Sequence, residues 1–283
     1  MMTTAGSCDL RPATAAHRAL GRLLLTVVAF AVTLVGVPSR GAAQERPARD
    51  FRWAKSLPAG QWVRVHNVNG DVTVTAVDGD RVEVVGIRRD GGRDDDLRVD
   101  VHEGRDGVTI CALRGQRSRC DDRGSHTESH DDDWRRRGRV DFEVRLPRRL
   151  KLSANSVSGD IEVNGAGDEV RAGSVSGNVR LERLRAPAVS AASVSGDVGV
   201  DIEALTGAGD LRFTSVSGNV SLRLPRSLDA DVTLTTVSGE LDSDFQMTLQ
   251  GGMSRRSLNG RIGRGGRELK LTTVSGDVRL RAR

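Results

Sequence analysis

A six-residue box occurs eight times in this chain of 283 residues. It consists of a small polar residue, Val or Leu, Ser or Asn, Gly, any residue, and then Val, Ile or Leu. The box glycines are Gly70, Gly159, Gly177, Gly196, Gly218, Gly239, Gly260 and Gly276. From Gly159 onwards they are 16 to 22 residues apart, about 20 on average. This period matches one coil of a β-solenoid and is too short for a propeller blade or a two-helix repeat.

Apolar residues alternate with polar ones on both sides of each box. In the copy that begins at Ser174, the alternation runs over 170–172 and again over 175–181. A period of two indicates β-strands. The two runs are separated by three positions, an odd number. In a straight strand, the apolar residues of the second run would therefore point to the opposite face from those of the first, unless the backbone bends between them. We therefore predict a corner before the box, with Val175 and its equivalents, such as Val216, pointing into the core.

The glycine of each box falls on the inward side of the second strand. This position predicts a close approach of two backbones, or a bend, more than a ligand site. The outward positions form columns of Ser/Thr, of Ser/Asn and of acidic or amide residues. We interpret these columns first as hydrogen-bonded ladders and second as a binding surface. The third column contains Asp160, Asn178, Asp197, Asn219, Glu240 and Asp277.

These patterns predict an all-β fold: a parallel β-helix or β-solenoid with coils of about 20 residues, preceded by a short β-rich N-terminal part. We assign residues 59–283 to one β-strand-repeat domain, with the most regular repeats at 150–283. The copy at Ser257 is degenerate, so irregular backbone is expected over 250–266. Two Leu-Pro lead-ins, at 146–147 and 224–225, indicate a longer duplication. Each proline marks an irregular or edge position because it cannot donate to a ladder.

Residues 1–43 have the features of a secretory signal peptide. Arg11, Arg18 and Arg22 precede an apolar run at 23–37, and small residues occupy 41–43, so we expect cleavage before Gln44. The run is shorter than the roughly 20 residues that span a bilayer, which makes an uncleaved anchor the less favoured alternative. We expect a linker at 44–58, no transmembrane segment after cleavage, and an exported protein that is periplasmic, cell-surface or extracellular.

The charge pattern gives little support to nucleic-acid binding. The formal net charge is +5, but the segment 1–43 holds four arginines and one aspartate. Without that segment, 39 basic residues face 37 acidic ones. Arg and Asp are interspersed along the coils, and aromatic residues make up only 3% of the chain. Neither a one-sided basic stripe nor an aromatic platform is present, so we expect no nucleic-acid partner.

Cys111 and Cys120 remain after the expected cleavage. In an oxidising compartment, such a pair is more typical of a disulfide than of a metal site. The segment 114–139 breaks the repeat and is highly charged, so we expect a flexible loop. His126 and His130 are four residues apart within it. They could share a metal only on a helix that nothing caps or packs, so metal binding is disfavoured.

The sequence contains no phosphate loop, zinc-protease motif or EF-hand loop, and 173–177 has Val where a hydrolase elbow has Ser. We therefore assign no catalytic, cofactor-binding or metal-binding residue and expect no cofactor. Some β-helix proteins cleave acidic polysaccharides with residues of one outer sheet. A unique active site would break the repeat, however, and each outward Asp here recurs from coil to coil.

The chain resembles the bacterial putative-adhesin family of secreted β-strand-repeat proteins. The resemblance rests on the Val-Ser-Gly boxes, the two Leu-Pro lead-ins and the opening 68–72, and it covers residues 61–283. It implies attachment to a surface and carries over no catalytic residue. Our leading hypothesis is an exported, non-enzymatic β-solenoid with a surface-binding or envelope-structural role. Its partner would be an envelope or surface component, either glycan or protein. The alternatives are a carbohydrate-active β-helix enzyme and a periplasmic scaffold or sensor partner of a membrane protein.

Overall fold

The computed structural model describes residues 50–89, 97–126, 138–250 and 254–283. Within these ranges the chain forms β-strands in two large sheets and one small hairpin. We call the ten-stranded sheet the front sheet and the eleven-stranded one the back sheet. The predicted signal peptide and the first part of the predicted linker lie outside the described residues.

The strands are given in spatial order. The front sheet contains β1 (Phe51–Ser56), β4 (Arg81–Arg88), β9 (Val140–Pro147), β3 (Val72–Val77), β11 (Ile161–Asn164), β13 (Val179–Ala186), β15 (Val198–Leu205), β17 (Val220–Leu224), β23 (Val278–Ala282) and β19 (Leu241–Ser243). The back sheet contains β20 (Thr248–Leu249), β21 (Ser257–Ile262), β18 (Ala230–Thr235), β22 (Arg267–Thr272), β16 (Leu211–Ser217), β14 (Val189–Ser195), β12 (Val170–Ser176), β10 (Lys151–Ser158), β2 (Trp62–Asn69), β6 (Gly107–Arg114) and β5 (Leu97–Gly104). The hairpin consists of β7 (Arg119–Asp121) and β8 (Gly124–His126).

One coil consists of a back-sheet strand, a corner at the box glycine, a front-sheet strand and a return turn. Leu152 pairs in parallel with Val170, Val170 with Val189, and Val189 with Leu211. The front-sheet strands β11, β13, β15 and β17 repeat this parallel pairing. The predicted all-β solenoid is therefore confirmed.

The core lies between the two sheets and consists mainly of Val, Leu and Ala. Each coil contributes alternate residues, as in β16 and β17, where Leu211, Phe213, Val220 and Leu222 are fully buried. Burial of each such Val, Leu or Phe side chain stabilises the fold by roughly 1.5–3 kcal/mol. No coil can bury its face alone, so the stack is held together by its neighbours.

The predicted facing of the box was wrong. The first residue of the box, as in Ser174 and Ser215, is buried, whereas Val175 and Val216 are 46% and 42% exposed. The back-sheet alternation continues unbroken into the box Ser or Thr, and the chain turns only at the glycine. The corner thus lies inside the box and not before it, which exchanges the facing of Ser and Val.

The stacking order differs from the chain order at both ends of the solenoid. The coil β2–β3 lies between β6–β9 and β10–β11. At the other end, the last coil, β22–β23, is inserted between β16–β17 and β18–β19. The prediction that coils stack in the order in which they follow in the chain therefore holds only for the middle of the solenoid, from β10–β11 to β16–β17.

The two Leu-Pro lead-ins mark the links that skip a coil. Pro147 ends β9, and the chain then passes the β2–β3 coil to begin β10. Pro225 follows β17, and the chain passes the β22–β23 coil to begin β18. Each link crosses two strand spacings, about 9.6 Å. A ladder strand cannot make this crossing, which explains a proline at both points.

Antiparallel strands close the ends of the stack. Strands β4 and β1 extend the front sheet beyond β9, and β5 extends the back sheet beyond β6. Strands β21 and β20 extend the back sheet beyond β18. Two predictions fail here. Residues 51–56 of the expected linker are the strand β1, whose Phe51 and Trp53 pack on the core. Residues 257–262 of the expected irregular segment are the regular strand β21.

Part of the expected flexible loop at 114–139 is ordered. Residues 119–126 form the hairpin β7–β8, and a disulfide between Cys111 and Cys120 ties it to β6. The predicted disulfide is thus present. Residues 127–137, including His130, lie outside the described part of the chain. No helix in the described ranges is long and apolar enough to cross a membrane.

Candidate binding face

The buried hydroxyl groups of the boxes join neighbouring coils at the corner. Ser193 Oγ donates to the carbonyl oxygen of Gly177 at 2.8 Å, and Ser174 Oγ to that of Gly159 at 2.9 Å. The same bond links Ser215, Thr236 and Thr273 to the glycine of the coil beside each of them. These side chains are satisfied inside the fold, so the Ser/Thr column is structural and not an outer surface.

The corner glycines leave no room for a side chain. A Cβ on Gly196 would lie 2.2 Å from the carbonyl oxygen of Gly177, and a Cβ on Gly218 would lie 2.3 Å from that of Gly196. Close approach of stacked backbones therefore requires glycine at these positions. The same holds for Gly70, Gly159, Gly177, Gly239 and Gly276.

Gly260 departs from the predicted set. It lies inside the antiparallel strand β21, opposite Val232, and not at a corner. A Cβ there would meet the side chain of Met247 at 3.2 Å. The copy at Ser257 matches the box in sequence, but its strand runs in the opposite direction, so its glycine cannot take the corner role.

The acidic and amide column forms a continuous ladder. The backbone N–H of Asn178 donates to Asp160 Oδ1 at 2.7 Å, and that of Asp197 donates to Asn178 Oδ1 at 2.9 Å. The pattern continues through Asn219, Asp277 and Glu240, and in the other direction through Asp71 to Asp141. One side-chain oxygen of each rung is thereby occupied. These residues hold the register of the coils.

Asp141 ends this ladder in an ion-pair cluster. Its carboxylate accepts hydrogen bonds from Arg139 and Arg89 at 2.8 and 2.7 Å. Burial by itself would raise the pKa of Asp141, but the two arginine hydrogen bonds outweigh it and lower the pKa below its ordinary value. Asp141 therefore stays ionised as a structural anchor of the first coil.

The described histidines, His66, His102 and His126, do not converge on a catalytic or metal-binding geometry. His126 contacts Asp121 at 3.1 Å, and His102 contacts Asp122 at 2.9 Å. Burial, followed by the nearby Arg64, lowers the pKa of His66. A hydrogen bond from the Arg123 backbone lowers the pKa of Asp121. Within the described ranges, no group of three or more His, Cys, Asp or Glu is placed to hold a metal ion.

A depression of about 680 Å³ lies on the outer surface of the front sheet. Its floor is formed by Gly199 of β15 and Ser221 of β17, which are neighbours in the sheet. Arg180 and Arg279, in the same outward column, lie on either side of this pair. The sequence analysis did not predict this depression. The indication in the sequence is that the outward column with Arg180 and Arg279 contains two small residues, Gly199 and Ser221, where the neighbouring coils have long charged side chains.

Gly199 has no packing reason to be glycine. A Cβ built on it meets no atom within 4 Å, unlike the Cβ positions of the corner glycines. Glycine inside a strand weakens it and often marks the close approach of a ligand or another backbone. The absence of a side chain at Gly199 therefore keeps the depression open and does not serve the fold.

The rim of the depression carries polar groups of both signs. Arg279 pairs with Asp277 at 2.5 Å, whereas the side chain of Arg223 has no hydrogen bond or ion pair to any described residue. The Asp201 carboxylate lies 3.5 Å from Arg283 Nε, and Asp201 Oδ1 is buried without a hydrogen bond. Carboxylate, guanidinium, amide and hydroxyl groups thus converge on one open site, where they can bind polar groups of a ligand.

A sequence profile of the Toastrack DUF4097 family matches residues 56–281. The chain belongs to this family. The family resemblance inferred from the boxes is therefore confirmed, and the profile includes every coil of this Toastrack protein.

Two solved structures are similar to the Toastrack chain. One is a putative cell adhesion protein from Clostridium sporogenes, with a TM-score of 0.46 and 10% identity, covering 83% of this chain and 100% of that one. The other is a putative adhesin from Bacteroides fragilis, with a TM-score of 0.36 and 12% identity, covering 83% and 97%. No curated protein matches the sequence.

Proposed function

We propose that this Toastrack protein is an exported, non-enzymatic binding protein of the cell envelope or cell surface. Its ligand-binding site is the depression on the front sheet between Arg180 and Arg279. The single observation that carries the proposal is Gly199, which keeps the floor open at a position where the fold has room for a side chain.

The chemistry of the rim favours a polar ligand rich in hydroxyl groups, such as a glycan, or a polar protein segment. Asp201 and Arg223 offer an acceptor and donors on one side of the floor, and Asn219 lies on the other side. Carboxylate and guanidinium groups form strong, directional hydrogen bonds with such ligands. The depression is lined by three arginines and five acidic residues, so it does not favour a polyanion such as nucleic acid.

Two features support an exported location. Residues 1–43 have the pattern of a signal peptide, and the Cys111–Cys120 disulfide is of the kind that persists in oxidising compartments. Repetition supports a binding role without turnover. Asp160, Asp197 and Asp277 recur at equivalent positions of the ladder, and each accepts a hydrogen bond there from a backbone N–H group.

Filling the depression tests the proposal. We expect Gly199→Gln to reduce binding to an envelope extract or to an array of bacterial glycans at least tenfold, with an unchanged melting temperature. Thr233→Gln, on the back sheet, is the matched control and retains binding. Equal binding by both variants would contradict the site. Release of reducing sugar from a bound glycan would instead favour the carbohydrate-active enzyme.

A further inference from the structure

A row of exposed valines runs along the back sheet. In six of the boxes the second residue is a valine that points outward, and these valines are 42% to 55% exposed. In spatial order the row, which we call the valine row, is Val157, Val175, Val194, Val216, Val274 and Val237. Adjacent coils are about 4.8 Å apart, so the row is about 24 Å long.

The valine row lies in an uncharged strip. On one side is the exposed box serine of each coil, such as Ser176 and Ser195. On the other side is a column of small residues that follows the parallel register: Asn155, Gly173, Ala192, Thr214, Thr272 and Thr235. Charged residues begin one column further out. A contiguous apolar strip of this kind, bordered by polar residues, marks an interaction surface.

The chain already covers one end of this face with its own hairpin. The disulfide places β7–β8 over β6, and Gly124 lies against the ring of His66. His66 and Cys111 are register partners of Asn155 and thus belong to the column beside the valine row. Leu113, two residues beyond Cys111, is 1% exposed. The face is therefore buried where the hairpin lies on it, and from β10 onwards no described segment covers it.

The charges that border the strip favour a second copy of this chain as its partner. The charged column nearest the strip on one side is basic, with Arg171, Arg212 and Lys270. The carboxylates that pair with Arg171 and Arg212 lie on the side away from the strip: Glu169, Asp210 and Glu268. The ladder with Asp160 and Asp197 follows the serines on the other side. A two-fold axis parallel to the solenoid axis places the basic border of one copy against the acidic border of the other. An axis perpendicular to it would oppose like charges. An identical row at an identical spacing is also self-complementary, as a two-fold interface requires.

We propose that two copies associate through their valine rows, side by side and in parallel, with equivalent coils facing each other. The proposal does not depend on the function of the front sheet, because the valine row belongs to the back sheet and leaves the depression open.

Cysteine cross-linking in a Cys8→Ser background tests the arrangement. In a parallel dimer, Val157→Cys faces itself and Val237→Cys, at the opposite end of the row, faces itself, so each variant alone oxidises to a covalent dimer. An antiparallel pair would cross-link only when the two variants are mixed. Cross-linking only in the mixture, or in neither experiment, would overturn the proposal.

Sedimentation equilibrium supplies the second arm. We expect the triple variant V175T/V194T/V216T to weaken the dimer at least tenfold, because Thr retains the shape and strand preference of Val but not its apolar surface. The double variant S153T/S190T changes the same sheet outside the strip and leaves the dimer intact. A monomeric wild-type chain, or a triple variant that dimerises as tightly as wild type, would contradict the interface.

Discussion

Ser193 donates its hydroxyl hydrogen to the carbonyl oxygen of Gly177, 2.8 Å away on the neighbouring coil. The bond is buried, since Ser193 is 3% exposed, and it recurs at successive corners. It explains why a polar residue occupies an inward position in every box. The hydrogen bond between the buried hydroxyl and the backbone carbonyl holds adjacent corners together. It does so at a point where the glycines provide no side chain to pack.

Ser193→Ala removes one of these corner bonds. We expect a loss of about 1–2 kcal/mol in the free energy of unfolding, because a buried carbonyl loses a partner. Ser195→Ala, on the exposed side of the same box, should change the stability by less than about 0.5 kcal/mol. Urea denaturation measures both. Equal effects of the two variants would contradict the inward facing of Ser193.

The two kinds of glycine predict opposite results. Gly196→Ala places a Cβ 2.2 Å from the carbonyl oxygen of Gly177, so the backbones must separate and the free energy of unfolding should fall by about 3 kcal/mol. Gly199→Thr places its side chain in open space and should stabilise the protein by up to about 1 kcal/mol, as strand preference predicts. Thermal unfolding distinguishes them. A tolerated Gly196→Ala would show that the corner is not closely packed.

An aspartate introduced before or after the corner tests which valines point outward and which point into the core. Val216 is 42% exposed and Val220 is fully buried. We therefore expect Val216→Asp to cost less than about 1 kcal/mol and Val220→Asp to cost several kcal/mol or to prevent folding. Chemical denaturation at a protein concentration low enough to keep the chain monomeric gives the comparison. The reverse ranking would restore the inward valine that the sequence pattern first suggested.

Asp141 makes the stability depend on pH. Its pKa in the folded state lies below the unfolded value because of Arg139 and Arg89. The stabilisation is thus fully present above the unfolded pKa of about 3.9 and is lost as the pH falls through the folded pKa. We expect Asp141→Asn to lower the stability at neutral pH and to flatten the loss below pH 4. An acid limb identical to that of the wild type would contradict this role.

The sequence was sufficient to predict the parallel solenoid, because its period and its alternation both persist over many coils. The facing of the box was not predictable from polarity. Ser and Val occupy adjacent positions, and only the corner bond to Gly177 decides which one points inward. A polar residue can occupy an inward position when a backbone carbonyl accepts its hydrogen bond. The alternation of polar and apolar residues in the sequence does not reveal such an acceptor.

The stacking order could not be predicted from the sequence, because the strands of all the coils have the same residue pattern and can pair with one another equally well. Val232 and Leu211 can both pair with Leu269, so the repeat itself does not specify neighbours. The signal was the proline after Leu146 and after Leu224, where the chain leaves the ladder to skip a coil. The depression at Gly199 was equally hidden, since a glycine outside a box carries no periodic signal.

The last coil lies between two coils that precede it in the chain, and pairs of engineered cysteines can detect this exchanged order. Thr214 is the register partner of Thr272, whereas Thr235 lies on the coil beyond Thr272.

In a Cys8→Ser background, we predict that T214C/T272C forms an intramolecular disulfide on oxidation, detected by mass spectrometry of a proteolytic digest, and that T214C/T235C does not. A disulfide in T214C/T235C and none in T214C/T272C would show that the coils stack in chain order and would contradict the account.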